Sequence, residues 1–417
     1  MSYNILNAQT VIEYLRSHPK AQYLLDTNAN LESEELSDGN LNFVFRVFES
    51  DNPSRSILVK QAVPYLRVAG ESWRLSPARA GFEARALALE HQFAPGLVPT
   101  PYWFDEIMFV NAMEDLRFHE VMRKPMVARV RFKNLGATIG DFLARTLFGT
   151  SDFGMEAKQK KVLMTQFANT ELCEITEDLI FTEPFEAVQL EGKINRNQFD
   201  PGVKPALEKL QSDLELKAVV AKLKHRFMTS SQALLHGDLH TGSIMASTPD
   251  ERHNADIRVI DPEFAFFGPI GFDVGLFVAN LFLNAVAQHG HAPDSTSRDA
   301  YRSYLFGQYR FCWEAFELGF RLKLETQSNS ISWRSKIFQD NLMLEILRDT
   351  AGFAGCEMIR RSVGFAHVFD VDSITDDQKR AHVLEMNLEI GSKLIKTHQH
   401  ISSFSDLENI VREVIEA

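Results

Sequence analysis

The sequence predicts an α+β fold in two lobes: an antiparallel sheet lobe with a helix over residues 1–115, then a larger, mainly helical lobe over residues 116–417. Three observations carry that expectation. The chain has 417 residues, too many for one compact core. Apolar residues alternate with polar ones early in the chain, as in half-buried strands. From Arg117 onward they recur instead at helical spacing.

In chain order, Ala8–Ser17 reads as a helix with Val11, Tyr14 and Leu15 on one face, ended by His18-Pro19. Asp38-Gly39 is a turn signal, and Leu41, Phe43, Phe45 and Val47 then alternate as a strand running to Glu49. Asp51–Ser54 turns the chain into a second strand, Ser56–Gln61. Lys60 lies inside that strand, so it either snorkels at an edge or reaches a phosphate. Ala80–Phe93 is a helix carrying Glu83 and Glu90; Glu83 is the candidate partner of Lys60, and Glu90 lies two turns on along a similar face. Pro99–Asp105 and Ile107–Met113 complete the sheet. The shift to charge at Glu114-Asp115-Leu116 suits a hinge, where adenine would bond to backbone groups.

In the second lobe, Thr138-Ile-Gly-Asp141 reads as a helix start, with an acid three residues after a Thr cap. Leu163–Leu172, Lys204–Met228, Arg298–Leu318 and Asp340–Ala366 have helical spacing. Phe264–Ala287 is apolar enough to raise a membrane question. Pro269, Asp273, Asn280 and Asn284 interrupt it, so it reads as a loop followed by a core helix. Arg360 and Arg361 are adjacent on a helix and point about 100° apart. Taken alone, the pair reads as structural salt bridges before it reads as a ligand clamp.

Composition narrows the function classes. The chain is 45% hydrophobic and 24% charged, ordinary for a globular protein, and its net charge of −12 argues against nucleic acid as a partner. Cys173, Cys312 and Cys356 have neither disulfide nor metal-ligand spacing, which fits a reducing cytosol. The N-terminal residues have no basic region followed by an apolar run, so no secretion signal is expected.

The chemistry concentrates between Leu234 and Asp273. Two short apolar runs, Ala233–Leu235 and Ile257–Ile260, each end near an acid: Asp238 after the first, Asp261 and Glu263 after the second. Two strand ends aiming carboxylates into one cleft supply a catalytic base and a hard-cation site, and Mg²⁺ takes oxygen ligands together with substrate phosphates. A base followed five residues later by a polar residue (here Ser243), then by a metal-binding Asp, is the layout of phosphoryl-transfer loops. Three other readings compete: two turns with solvated acids, a metal-hydrolase cluster at His236-x-Asp238-x-His240, and a non-catalytic ATP-binding scaffold.

His236-Gly-Asp-Leu-His-Thr-Gly-Ser-Ile244 with Ile260-Asp-Pro-Glu263 resembles the aminoglycoside phosphotransferase and choline kinase superfamily, whose fold is bilobal and protein-kinase-like. Phe264–Asp273, Asp38–Phe45 and Ala351–Arg361 are in addition similar to the 5-methylthioribose kinase family. The resemblance implies ATP- and Mg²⁺-dependent phosphorylation of the anomeric 1-hydroxyl of 5-methylthioribose, giving the 1-phosphate and ADP in methionine salvage. It also implies a cytoplasmic homodimer; neither nucleic acid nor a membrane is an expected partner. A kinase for another small alcohol or an aminoglycoside is the alternative.

Carried onto this chain, the resemblance implies that Asp238 is the base beside the sugar hydroxyl, and that Asp261 and Glu263 hold Mg²⁺. Lys60, oriented by Glu83, would hold ATP phosphates, with Gly39 and Asn40 in the phosphate-gripping turn and Glu114, Asp115 and Leu116 at the adenine. Asn42 and Trp73, the latter in a loop, would lie near the sugar; Arg360 and Arg361 would serve the sugar and the transition-state charge. Three positions depart from the general kinase pattern. Ser243 stands where an Asn normally assists the metal, and Glu263 replaces a glycine, so the metal must lean on Glu263. Gly39 stands where three glycines are usual.

Overall fold

The computed structural model describes residues 3–36, 41–66, 70–188, 195–249 and 254–416. Gly39 and Asn40 lie outside them.

The N-terminal half of the site is a five-stranded antiparallel sheet, ordered β1-β2-β3-β7-β6. Its strands are β1 (Leu31–Leu36), β2 (Asn42–Glu49), β3 (Asn52–Ala62), β6 (Pro101–Asp105) and β7 (Val110–Met113). A hairpin of β4 (Tyr65–Leu66) and β5 (Gly70–Arg74) follows β3. Helix α1 (Ala8–Ser17) starts at Asn7, whose side chain accepts the N–H groups of Gln9 and Thr10 while the Thr10 hydroxyl accepts that of Asn7, a reciprocal cap. It buries Val11, Tyr14 and Leu15 against Phe45, Val47, Ile57, Val59 and Val110 of the sheet. Lys60 pairs with Val44 on one side and Asn111 on the other, so it sits in a central strand and is only 6% exposed. Snorkelling at an edge is thereby ruled out. Helix α2 (Arg79–Phe93) turns both Glu83 and Glu90 inward.

Two readings in this half need correction. β1 has no counterpart in the sequence expectations: it is a mostly exposed, acid-rich edge strand in which only Leu31 is buried, a composition that discourages pairing with other chains. Trp73 belongs to strand β5, not to a loop, because Tyr65 pairs with Arg74 and Leu66 with Gly70.

After β8 (His119–Val121) and α3 (Arg123–Val127) the chain is mainly helical: α4 (Leu135–Thr150), α5 (Ala157–Gln166), α6 (Thr170–Phe181), α7 (Lys204–Ser212) and α8 (Leu214–Thr229). The short strands β9 (Ala233–Leu234), β10 (Ile244–Ser247), β11 (Ile257–Val259) and β12 (Phe267–Gly268) carry the site loops. Helices α9 (Gly271–His291), α10 (Ser295–Thr326), α11 (Lys336–Val363), α12 (Phe369–Asp372), α13 (Asp377–Thr397) and α14 (Phe404–Ile415) complete the chain. Helix α9 is long and apolar enough to cross a membrane, but its whole apolar window is buried inside the helical lobe. Gly271 lets α11 approach: a Cβ there would lie 2.8 Å from the carbonyl oxygen of Ile346.

Several helix limits differ from the sequence expectations, each for a local reason. Thr138 lies inside α4, which starts after Asn134; the Thr138 hydroxyl accepts from Asn134 Nδ2 at 3.2 Å, and Asp141 pairs with Arg145 at 2.7 Å. The run Leu163–Leu172 is broken between α5 and α6, where Asn169 turns in to donate to the carbonyl oxygens of Glu263 (2.8 Å) and Ala265 (3.2 Å). The run Lys204–Met228 breaks at Asp213, which caps α8 by accepting the Leu216 N–H at 2.9 Å.

Candidate active site

The site is built on the β10–β11 pair, where Ile244 faces Val259. Just beyond it the Ile260 N–H donates to the Ser243 carbonyl at 2.9 Å, so the loops bearing Asp238 and Asp261 leave the pair side by side. His236 joins them. Its Nε2 bonds the Ile260 carbonyl at 2.8 Å, and its Nδ1 accepts the Asp238 N–H at 3.3 Å. From below, Asp273 in the first turn of α9 accepts the N–H groups of His236 (2.7 Å) and Gly237 (3.0 Å). Gly237 has φ 85°, and a Cβ there would lie 2.3 Å from the Phe264 carbonyl oxygen, so only glycine fits.

Asp238 is held on both carboxylate oxygens. Oδ1 accepts from Nη2 of Arg360 and of Arg361, each at 3.2 Å, and Oδ2 faces His240 Nε2 at 3.3 Å. His240 Nδ1 accepts the Gly242 N–H at 2.9 Å, which leaves the proton on Nε2 to be donated to Asp238. Burial, aided by Arg123 and Arg361, pushes the His240 imidazole down to about 4, so it is neutral at pH 7. Burial works to raise the Asp238 carboxyl, but His240 and the two arginines outweigh it and hold it well below the usual range.

Arg360 and Arg361 converge although they are neighbours on α11. Glu357, one turn earlier and fully buried, accepts from Arg360 Nε at 2.6 Å and from Arg361 Nε at 2.7 Å. Long side chains anchored at Nε swing both Nη2 groups onto one oxygen, although adjacent helix positions start about 100° apart.

On the other side, Lys60 Nζ donates to Glu83 Oε1 at 2.9 Å and to Asp261 Oδ1 at 2.6 Å. Glu83 is therefore the acid that meets Lys60. Glu90 is buried apart, one oxygen lacking a hydrogen-bond partner among the described residues. Asp261 adopts φ 65°, ψ 49°, a left-handed conformation that costs a non-glycine residue about 1 kcal/mol or more and clusters at functional sites. Burial raises the Asp261 carboxyl, but Lys60 overrides it and holds it low. Glu263 is pushed up to about 7, chiefly by burial; Lys60 works against the rise, while Glu83 and Asp261 add to it. Asn42 donates to Glu263 Oε2 at 3.0 Å and accepts from Arg79 at 2.8 Å, which puts it on the Lys60 side, apart from the arginine pair.

Ser243 is spent locally, donating to the Asp238 carbonyl at 2.9 Å. Glu114 fixes the N–H and hydroxyl of Thr100 at 2.9 and 3.0 Å, and Asp115 binds Arg46 and Ser56 at 2.8 and 2.6 Å. Leu116 is nearly buried and its carbonyl accepts the His119 N–H at 2.8 Å. With both acidic side chains so engaged, what this segment offers a ligand is backbone. Trp73 packs beside Phe365 and Arg196.

Four contributors escaped the sequence reading. Asn169, Arg79 and Arg123 carry no motif signal. Glu357 stood inside the Ala351–Arg361 match, one turn from the arginines, and that spacing is the signal that could have found it. The hydrolase reading fails on geometry: both nitrogens of His236 and of His240 are hydrogen-bonded within the loops, and among the described residues no three His, Cys, Asp or Glu side chains cluster as metal ligands. Asp261 and Glu263 fit Mg²⁺ instead, since that ion needs only one or two carboxylates beside phosphate oxygens and the surplus of acid here favours a cation.

Comparison with known proteins gives the family of the chain. The phosphotransferase enzyme family matches residues 42–315. A methylthioribose kinase of Bacillus pumilus (strain SAFR-032) is 39% identical over 392 residues, covering 94% of each chain. One of Bacillus cereus (strain 03BB102) is 39% identical over 401 residues, covering 95% of this chain and 94% of the relative. Among solved structures, a Plasmodium vivax ethanolamine kinase superposes with a TM-score of 0.45 at 12% identity, covering all of this chain and 90% of that one. By its sequence likeness the chain belongs to the phosphotransferase enzyme family and, within it, to the methylthioribose kinases.

Proposed function

We propose that the chain transfers the γ-phosphoryl group of ATP to the 1-hydroxyl of 5-methylthioribose, giving 5-methylthioribose 1-phosphate and ADP in methionine salvage. The observation that carries this reading is one cleft with Asp238 clamped by two arginines on one side and Lys60 tied to Glu83 and Asp261 on the other, in a chain 39% identical to methylthioribose kinases.

The sugar O1 attacks the γ-phosphorus as the bond to the β–γ bridging oxygen breaks and ADP leaves. The O1 proton passes to Asp238. Because that carboxylate is a weak base, its main contribution is to orient O1, and proton transfer comes late along the path. Arg360 and Arg361 donate to oxygens of the moving phosphoryl group, and Lys60 binds ATP phosphates. Asp261 and Glu263 hold Mg²⁺, which when bound offsets charge on the phosphate oxygens. The segment Glu114–Leu116 receives adenine, and Asn42 steadies Glu263; the assignment of Gly39 and Asn40 to the phosphates rests on the sequence resemblance alone.

The lobe boundary is placed after Asp115; the next strand, β8, pairs with β10 of the helical lobe. A cytoplasmic homodimer is part of the reading. Three unpaired cysteines support the compartment, and Phe311, Leu318 and Leu322, at least half-exposed on α10, support the association. Light scattering of the purified protein measures the latter.

The test is a substrate panel with Mg·ATP: 5-methylthioribose, ribose, choline, homoserine and an aminoglycoside, with phosphorus NMR of the product. An anomeric sugar phosphate formed from 5-methylthioribose in clear preference to the others is expected. Preference for any other acceptor overturns the assignment.

A further inference from the structure

Arg79 opens α2 in a place where a positive charge is doubly disfavoured. It is 2% exposed, and the first turn of a helix repels a cation. Nη1 donates to the Val63 carbonyl at 2.8 Å and the Ser76 carbonyl at 3.1 Å. Nη2 donates to the Leu41 carbonyl at 2.9 Å and to Asn42 Oδ1 at 2.8 Å. All four acceptors are neutral, and Nε is buried without a partner among the described residues. A buried cation set among neutral oxygens carries a desolvation cost that no ion pair offsets.

Three of those oxygens belong to the ends of the two strands that carry Asn42 and Lys60. In the β2–β3 pair Asn42 faces Ala62, and Val44 faces Lys60. Alternate residues of a strand share a face, so Asn42 and Lys60 project to the same side of the sheet. There Asn42 Nδ2 donates to Glu263 Oε2 at 3.0 Å, and Lys60 Nζ donates to Asp261 Oδ1 at 2.6 Å. A guanidinium only donates, so the Asn42 amide must turn its oxygen to Arg79 and its N–H₂ to Glu263. On α2, Glu83 follows Arg79 by one turn and takes the Lys60 ammonium at 2.9 Å. One helix face thus serves both carboxylate loops: Glu83 fixes Lys60, and Arg79 fixes Asn42. The planar fork of Arg79 reaches the end of β3 and the start of β2 together, a span that a single ammonium does not cover.

We propose that Arg79 is a positioning residue for the metal–nucleotide site: by fixing the amide of Asn42 it holds the Glu263 carboxylate where Mg²⁺ is bound. It acts through Asn42 rather than on the ion. This rests on the reading of Asp261 and Glu263 as the Mg²⁺ ligands of a kinase. Loss of a residue that orients a metal ligand weakens metal binding by about 10- to 100-fold.

The experiment measures ADP binding to the intact protein by calorimetry, with Mg²⁺ and with EDTA, for wild type, Arg79→Lys, Asn42→Ala and the double variant. The readout is the ratio of the two dissociation constants, the gain in ADP affinity that Mg²⁺ brings. An unfolded fraction lowers the stoichiometry and leaves that ratio alone. Arg79→Lys and Asn42→Ala should each cut the gain by about 10-fold or more. The double variant should lose no more than the larger single loss, because both residues act in one relay. KM for the sugar at saturating Mg·ATP should not change. An undiminished gain in either single variant overturns the proposal, as do losses that multiply in the double variant. A sugar KM that rises as far as the gain falls marks a general loosening and overturns it too. Should Arg79→Lys fail to fold, Asn42→Ala decides, since the relay passes through that amide. A wild type whose ADP affinity ignores Mg²⁺ defeats the metal assignment itself, a result distinct from a Mg²⁺-dependent wild type with unaffected variants.

Discussion

Replacing Glu357 by Gln probes how the arginine pair is held. Glu357 is 0% exposed and accepts from both Nε atoms, while the Nη2 atoms reach Asp238. Two carboxylates thus face two guanidinium groups, and the cluster is neutral. Glu357→Gln leaves one positive charge in excess on a largely buried arginine pair, and its amide N–H₂ points a donor at a donor. Removing one partner of a buried ion pair costs about 3–5 kcal/mol, so urea unfolding should show a loss of that size. Activity should fall too, because the two Nη2 groups lose their anchor; a donor lost from a developing charge lowers kcat by about 10²–10³-fold. The decisive arm is the double variant Glu357→Gln/Arg360→Met, which restores neutrality. It should be more stable than Glu357→Gln alone, although it has fewer native contacts, while activity stays low. A double variant less stable than the single one, or losses that simply add, would refute the charge argument.

Three further outcomes are expected. Asp238→Asn keeps the shape and removes the proton acceptor, so kcat should drop by about 10²–10⁴-fold with ATP affinity by calorimetry unchanged; near-normal turnover excludes Asp238 as base. Asp261→Ala should abolish activity at any practical Mg²⁺ concentration, whereas Glu263→Gln should shift the Mg²⁺ titration upward; an unmoved titration removes Glu263 from the metal. His240, pushed down to about 4 from an ordinary 6.5, binds fewer protons folded than unfolded between those values, so its burial makes stability fall as pH drops from about 6.5 to about 4. Its share is at most roughly 3 kcal/mol, and His240→Gln should flatten the decline in urea midpoint between pH 7 and pH 5; parallel declines would count against the neutral imidazole.

Much of the site was legible because its signals are local. Lys60 sits in a strand of alternating residues, and Glu83 follows on a periodic helix; each fixes its own orientation within a few residues. Asp238, Asp261 and Glu263 are set by short loops whose sequence is their geometry. What stayed hidden depends on contacts distant in sequence. The break before α6 exists because Asn169 serves carbonyls about ninety positions later, at Glu263 and Ala265. Strand β1 escaped because Leu-Glu-Ser-Glu-Glu-Leu lacks an alternating apolar face, and a five-strand sheet supplies the pairing that its composition does not. The convergence of Arg360 and Arg361 follows from side-chain length and one buried acid, neither of which backbone periodicity encodes.

Asp273 has a consequence for where this molecule can move. Its carboxylate accepts the amides of His236 and Gly237 from the first turn of α9, a helix buried along its length. Those amides exchange with solvent only when that hydrogen bonding opens, and opening it disturbs the helix at the centre of the lobe. Active-site loops are usually drawn from the least stable parts of a fold. Here the loop bearing the base is fastened to one of the most protected, and its amide hydrogens should exchange nearly as slowly as those of α9.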